Sequence, residues 1–241
     1  MSTRSGTRHY TLDHNVFAGH AGRGVRVAVV DSGVALDHPH VGAVTERVRI
    51  AAGVHNDEVL DRLGHGTAVA AAIREKAPGC ELLSVKVFDR MLTTNAETLA
   101  EGIVWAADHG SRLINLSLGT LNQEREASLL AAIEHAAQRG AIVVSAAESD
   151  GVRWLPGSIP GVAGVLVDWK CERSALAVES GVNGPERFHA SAYPRPILGV
   201  PRERNVSGVS FAVANVTGFL ARLLEADTAA RTLQDVGRLL S

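Results

Sequence analysis

The sequence predicts an α/β fold: a doubly wound, mostly parallel sheet with helices on both faces. Two observations carry that expectation. Short β-branched runs alternate with longer segments of helical character, and the runs are apolar on nearly every residue, as in strands buried on both faces. Several runs also stop on a polar side chain, and open parallel sheets bind ligands beyond the carboxyl ends of their strands.

The elements follow in order. VRVAVV (Val25 to Val30) is the first strand, closed by an Asp-Ser-Gly turn. Leu82 to Phe88, Arg112 to Leu118 and Ala141 to Ala147 read as further strands, and VAGVLVDW (Val162 to Trp169) as another. One helix is expected to begin near His65 (HGTAVAAAIRE). A second spans NAETLAEGIVWAADHG, where Thr94 and Glu97 stand at capping-box spacing. A third runs from about Gln123 to Arg139 and stops at Gly140, a usual C-cap residue. A fourth, apolar almost all round, begins at Ser210. Beyond one strand, the Gly- and Pro-rich stretch from Gly151 to Val206 gives no traceable course. No repeat or linker divides the chain, so residues 1–241 are expected to form one domain. Residues 1–24 would be an N-terminal extension before the sheet, and residues 225–241 a C-terminal helix.

Bulk properties exclude some function classes. With 46% hydrophobic and 21% charged residues, the chain has the composition of a soluble globular protein. Its net charge of −2 offers no electrostatic reason to expect nucleic acid or an anionic membrane as partner. No apolar run reads as a membrane span, and the N-terminus lacks the apolar block of a secretory signal. Cys80 and Cys171 have no metal-ligand spacing. Two free thiols in a reducing compartment is the economical expectation, a single disulfide staying open. A cytoplasmic location fits these features.

Three motifs carry chemistry. AVVDSGV places Asp31 at a strand end, GHGTAVAAA places His65 in the first turn of a small-residue helix, and SGVSFA places Ser210 at a helix start. Each has a bland alternative when taken alone: an Asx turn for Asp31, a structural histidine, an N-cap serine. Together they are the groups that activate a hydroxyl nucleophile. A serine attacks when a neighbouring base removes its proton, and histidine titrates in the right range to be that base. A carboxylate orients the imidazole and stabilises its cation.

In this order the motifs resemble the subtilisin-like serine protease family over roughly Val25 to Leu224. DHPHV (Asp37 to Val41) is similar to the segment that follows the family's Asp strand, INLSLGT to its substrate-binding strand, and VVSAAESDG to its oxyanion-hole loop. The resemblance implies Asp31, His65 and Ser210 as catalytic residues. It also implies an exposed edge at Ser117, Leu118 and Gly119 that pairs with substrate main chain. The reaction implied is endopeptidase cleavage of an extended peptide through an acyl-enzyme. The backbone N–H of Ser210 would help receive the oxyanion.

The chain departs from the family at the oxyanion loop. Glu148 and Ser149 stand where the family has Gly-Asn, so Ser149 is the candidate donor, with a shorter reach. Glu148, with Asp150 at the rim, would make the specificity pocket acidic and favour Lys or Arg, the alternative being a surface loop. No cofactor and no metal are expected. Asp37, His38 and His40 read as scaffold, and AAIREKAPGCELL lacks the insertion that carries a calcium site in many secreted relatives. The short segment before the first strand and the missing export signal point to a small processing enzyme acting on a peptide or precursor peptide. Two alternatives stay open: a non-catalytic peptide-binding pseudoprotease, and a ligase or macrocyclase using the same triad.

Overall fold

Alternation within the buried strands decides which helix covers which face of the sheet. The computed structural model describes residues 6–149, 151–181 and 184–241, the side chains of 149 and 184–186 aside. In chain order the elements are β1 (Thr7–Thr11), β2 (Arg26–Asp31), β3 (Val44–Ala51), β4 (Val54–Asn56), α1 (His65–Lys76), β5 (Glu81–Lys86), α2 (Ala96–Asp108), β6 (Leu113–Leu116), α3 (Glu126–Gln138), β7 (Ile142–Ala146), β8 (Glu148–Ser149), β9 (Val152–Arg153), β10 (Ala163–Val167), β11 (Ala175–Gly181), β12 (Gly184–Ala190), α4 (Val209–Ala226) and α5 (Leu233–Leu239).

Ten strands form one sheet in the order β1-β11-β12-β10-β7-β6-β2-β5-β3-β4. Every neighbouring pair from β12 to β3 is parallel, and the antiparallel pairs β1–β11, β11–β12 and β3–β4 lie at the two ends. The doubly wound α/β expectation thus describes the centre. Val27 and Val29 of β2 enter one core with α1, α4 and α5, whereas Ala28 and Val30 enter a second core with α2 and α3. By the same parity Asp31 faces α1 and α4. On β6, Asn115 faces that way, and so does Ser117 just beyond it.

Helix α4 is the centre of the first core, buried from Ser210 to Ala221. It packs on α1 closely enough that a Cβ on Gly218 would stand 2.4 Å from Cβ of Lys76. Contrary to the expectation from sequence, α4 is long and apolar enough, by length and composition, to cross a membrane. Here 78% of it is buried inside the protein, because it is covered by strands and helices instead of lipid.

The sheet does not begin at Val25. β1 pairs antiparallel with β11, and Phe17 lies fully buried with its ring against Phe219, centroids 5.2 Å apart. The Tyr10 hydroxyl donates to the carbonyl of Leu240 at 2.7 Å, tying the first strand to the C-terminal end. Residues 6–24 are therefore part of the domain, not an extension from it. The sequence hides β1 because an edge strand needs few apolar residues: only Tyr10 of its five is buried. The C-terminal helix is likewise shorter than expected. Residues 225–226 end α4, and α5 covers 233–239 behind a Thr232–Asp235 capping box.

Smaller corrections have local causes. Asn95, not Thr94, caps α2, its side chain accepting from the Thr98 amide. Gln123–Arg125 form a 3₁₀ turn before α3 begins. The stretch from Gly151 to Val206 contains β9 to β12. Cys80 and Cys171 are both free thiols, and burial pushes the Cys80 thiol up to about 11.

Phe17 tests whether the N-terminal segment is structural. Phe17→Ala is expected to cost about 3–5 kcal/mol of stability, the range for deleting a fully buried phenylalanine, in denaturant unfolding. A cost under about 1 kcal/mol would mean the segment packs only peripherally.

Candidate active site

The helix that carries His65 starts where β2 ends, and the two meet with no side chain between them. Gly66 makes this possible. A Cβ there would stand 2.2 Å from the Gly33 carbonyl oxygen and 3.2 Å from Cβ of Asp31, so only glycine lets α1 approach this closely. Asp31, fully buried, is thereby brought to His65: Oδ1 lies 2.7 Å from Nδ1 of the imidazole. The same oxygen accepts from the Ser32 amide at 2.7 Å. Oδ2 has no partner among the described residues.

A carboxylate so placed gains most when its neighbour carries a positive charge. Burial opposes charge on His65, but the hydrogen bond and charge of Asp31, helped by Asp61, outweigh it and raise the imidazole above its ordinary value. The imidazole keeps 15% of its surface exposed, so one side faces the open cleft.

Asp61 lies outside the sequence motifs and still belongs to the site. Its Oδ1 accepts from the Ser32 hydroxyl at 2.8 Å and the Gly64 amide at 2.8 Å, and its Oδ2 from the Thr67 amide at 2.9 Å and the Thr67 hydroxyl at 2.6 Å. The Ser32 hydroxyl in turn accepts from the Gly66 amide at 3.0 Å. Helix α1 has a glycine at its N-cap and no side-chain cap of its own, so Asp61 serves in its place. The sequence signal was present: a carboxylate three residues before a cap position that lacks one. Behind Asp61, the buried Lys86 donates to the Leu60 carbonyl at 2.6 Å and holds the loop against β5.

Ser210 is not the N-cap of α4. Gly208 occupies that position, which leaves the serine in the first turn with its amide at the helix N-terminus. Its hydroxyl donates to the Ser117 carbonyl at 3.1 Å. No hydrogen bond joins Ser210 to His65, although the next residue, Phe211, lies near the imidazole with ring centroids 6.0 Å apart. Asp31 and His65 are thus directly joined, and Ser210 stands beside them with its hydroxyl turned aside. Beneath it runs a buried polar chain: Asn115 Nδ2 donates to Ser117 Oγ at 2.7 Å, and Thr217 Oγ1 to Asn115 Oδ1 at 3.0 Å.

The remaining predicted positions divide. Ser117 is wholly buried under Ser210 and is not an exposed edge residue, because the parity that turns Asn115 toward α4 turns Ser117 there too. Leu118 and Gly119 are half-exposed, and among the described residues no backbone hydrogen bond uses their amides or carbonyls. Beyond them Thr120 pairs with Leu155 in an antiparallel bridge. Glu148 is exposed, on a two-stranded hairpin opposite Arg153. β7 ends at Ala146, one residue before the expected Ala147, and Glu148 and Ser149 form β8 beyond it. The side chain of Ser149 and all of Asp150 lie outside the described residues. Among the described residues no group of three or more His, Cys, Asp or Glu is placed to hold a metal.

Fold and site define a mostly parallel α/β protein in which a buried aspartate holds a histidine near a helix-borne serine. The subtilase family profile matches residues 22–181, and the chain belongs to the subtilase family. It is 31% identical over 219 residues to the thermostable alkaline protease of Halalkalibacterium halodurans, covering 83% of this chain and 56% of that one. It is 33% identical over 225 residues to subtilisin Savinase of Lederbergia lenta, covering 84% and 77%. The chain thus spans little more than half the length of the first relative. Among solved structures, the prenylagaramide maturation protease PagA superposes with a TM-score of 0.64 at 24% identity, over 89% of this chain and 81% of that one. That likeness shows the fold.

The Asp31–His65 pair sets a titration. Because the folded value of His65 is raised, the pair's contribution to stability is complete below the unfolded value of about 6.5 and is lost as pH rises through the folded one. Followed by imidazole NMR, His65 is expected to titrate above the ordinary histidine range and to fall on Asp31→Asn. An unchanged midpoint in that variant would show that another group holds the imidazole.

Proposed function

We propose that the chain is a serine endopeptidase in which Ser210 is the nucleophile, His65 the general base and acid, and Asp31 the group that orients the imidazole. The hydrogen bond between His65 Nδ1 and Asp31 Oδ1 is the observation that carries this reading, since it leaves Nε2 as the nitrogen available for proton transfer. A peptide lies extended along Leu118 and Gly119, whose unused backbone groups suit strand addition. Ser210 Oγ leaves the Ser117 carbonyl and attacks the scissile carbonyl carbon while His65 takes its proton. The developing oxyanion receives the Ser210 amide, one of the unsatisfied donors of the α4 N-terminus. His65 then gives the proton to the departing amine and the C–N bond breaks. Water, deprotonated by His65, attacks the acyl-enzyme, releasing the carboxylic acid product and restoring Ser210.

The name of the relative PagA, a maturation protease, supports a precursor peptide as substrate. A cytoplasmic setting fits a substrate of that kind. A second reading has its own support: Ser210 rests on Ser117, and residue 149 is not asparagine. That reading is a peptide-binding pseudoprotease.

A fluorophosphonate probe is expected to label Ser210, with labelling and peptide cleavage both lost in Ser210→Ala. Labelling elsewhere would overturn the assignment. Ser149→Asn separates the two readings. In subtilisin, removing the oxyanion asparagine costs roughly 10²–10³ in kcat, a magnitude taken from that enzyme and not from this chain. A slow protease is therefore expected to gain up to about 10² in kcat from the substitution. Absence of turnover in both forms identifies the binding protein.

A further inference from the structure

At the end of α1 remote from His65, cationic side chains outnumber the carboxylates that could balance them. They surround a cavity of about 440 Å³, within the range of about 300–1,000 Å³ usual for ligand clefts. Lys76, Arg173 and Arg202 line it, together with Glu75 and Glu172. Arg195, set between the lining residues Pro194 and Pro196, is close enough to act electrostatically on both Lys76 and Arg173. Glu75 is fully engaged: Arg173 holds both of its oxygens, and Lys76 Nζ lies 3.3 Å from Oε2. Glu172 is exposed. Arg202 Nε stands 3.8 Å from the exposed carboxylate of Glu203, beyond hydrogen-bond reach.

These cations also hold donors that nothing uses. The Lys76 side chain is 2% exposed, yet its ammonium carries three N–H groups and finds one acceptor among the described residues, Glu75. The Arg195 guanidinium makes no hydrogen bond or ion pair among the described residues, and its Nε is buried. Arg202 lies over the Tyr193 ring, 4.8 Å from its centroid, a stacking that leaves the N–H edge of the guanidinium available. Buried donors without acceptors are costly, and so are like charges brought together away from water. Lys76 registers both effects: burial first, then the charges of Arg195 and Arg222, push its ammonium down to about 8. A negative group in the cavity relieves them together.

We propose that this cavity binds a phosphate group, free or as a small organic monoester, with Lys76 and Arg202 donating to its oxygens and Arg173 and Arg195 adding charge behind them. Four cations here face the two carboxylates Glu75 and Glu172, and a phosphate of charge about −1.5 to −2 at neutral pH matches that excess. Leu12, Pro194, Val200 and the Tyr193 ring supply apolar wall for an organic body. Lys76 ends the helix that carries His65, and Arg202 precedes the helix that carries Ser210, so the anion bridges the two elements. The site stands apart from the protease reading and does not rest on it.

Inorganic phosphate and phenyl phosphate test the site on the full chain, by titration calorimetry and thermal unfolding. Each is compared with sodium chloride at matched ionic strength, which removes general screening. Saturable binding of one anion per chain is expected, with a melting temperature that climbs as anion is added, since a ligand held only by the folded state stabilises it. Tighter binding of phenyl phosphate identifies a monoester as the occupant, and tighter binding of inorganic phosphate the free anion; either supports the site. Arg202→Ala, at an exposed position, and Lys76→Met, which keeps an aliphatic stem against Gly218, are each expected to raise Kd at least about tenfold, the scale of one charge-assisted hydrogen bond. No saturable binding of either anion up to about 10 mM, or a Kd unchanged in Arg202→Ala, overturns the site.

Discussion

The approach of α1 to the end of β2 is the constraint on which the site depends. Two backbone segments come together where a single methyl group on Gly66 would collide with the Gly33 carbonyl. This closeness lets a short carboxylate, Asp31, reach an imidazole carried on a different element. It also buries the carboxylate, so the interaction acts in a medium where charge is weakly screened. Burial alone would lower the basicity of His65. Asp31 reverses that, and the position of the imidazole between opposing effects suits it to accept and return a proton.

Around this contact the protein builds support in layers. Asp61 fastens the turn before α1 to Ser32 and Thr67, and Lys86 anchors the loop that carries Asp61. On the other side, Thr217, Asn115 and Ser117 form a buried polar chain under the first turn of α4. Such chains are rigid when their members are satisfied, so they set the position of Ser210 relative to His65. The two halves share one origin: strand parity sends Asp31, Asn115 and Ser117 all to the face covered by α1 and α4.

The surface around the site presents two different kinds of group. One arm of the cleft presents free backbone groups at Leu118 and Gly119, a surface that any extended chain can use. A separate cavity beside the N-terminal turn of α1 is walled by a loop that carries Arg195 and Asn205 as well as Ile197, Leu198 and Val206. Main-chain pairing supplies affinity without much selectivity, and side-chain contacts discriminate.

The central strands, the four main helices and the motifs that bring Asp31 to His65 were legible in the sequence because each depends on local pattern. Apolar runs mark strands that are buried whatever surrounds them, and glycine beside a polar residue marks a tight turn wherever it occurs. β1 was not legible, since an edge strand with one buried residue carries no such pattern. Asp61 was also missed, because its significance lies in the absence of a cap on another element. The sequence by itself determined the fold class, the existence of the central strands and the residue types available for proton transfer. Only the tertiary structure decided that Ser117 is buried support and not an exposed edge, that Ser210 rests on a carbonyl, and that Asp61 caps the helix carrying His65. Those properties arise from side chains distant in sequence sharing one space, and a linear pattern records no distances.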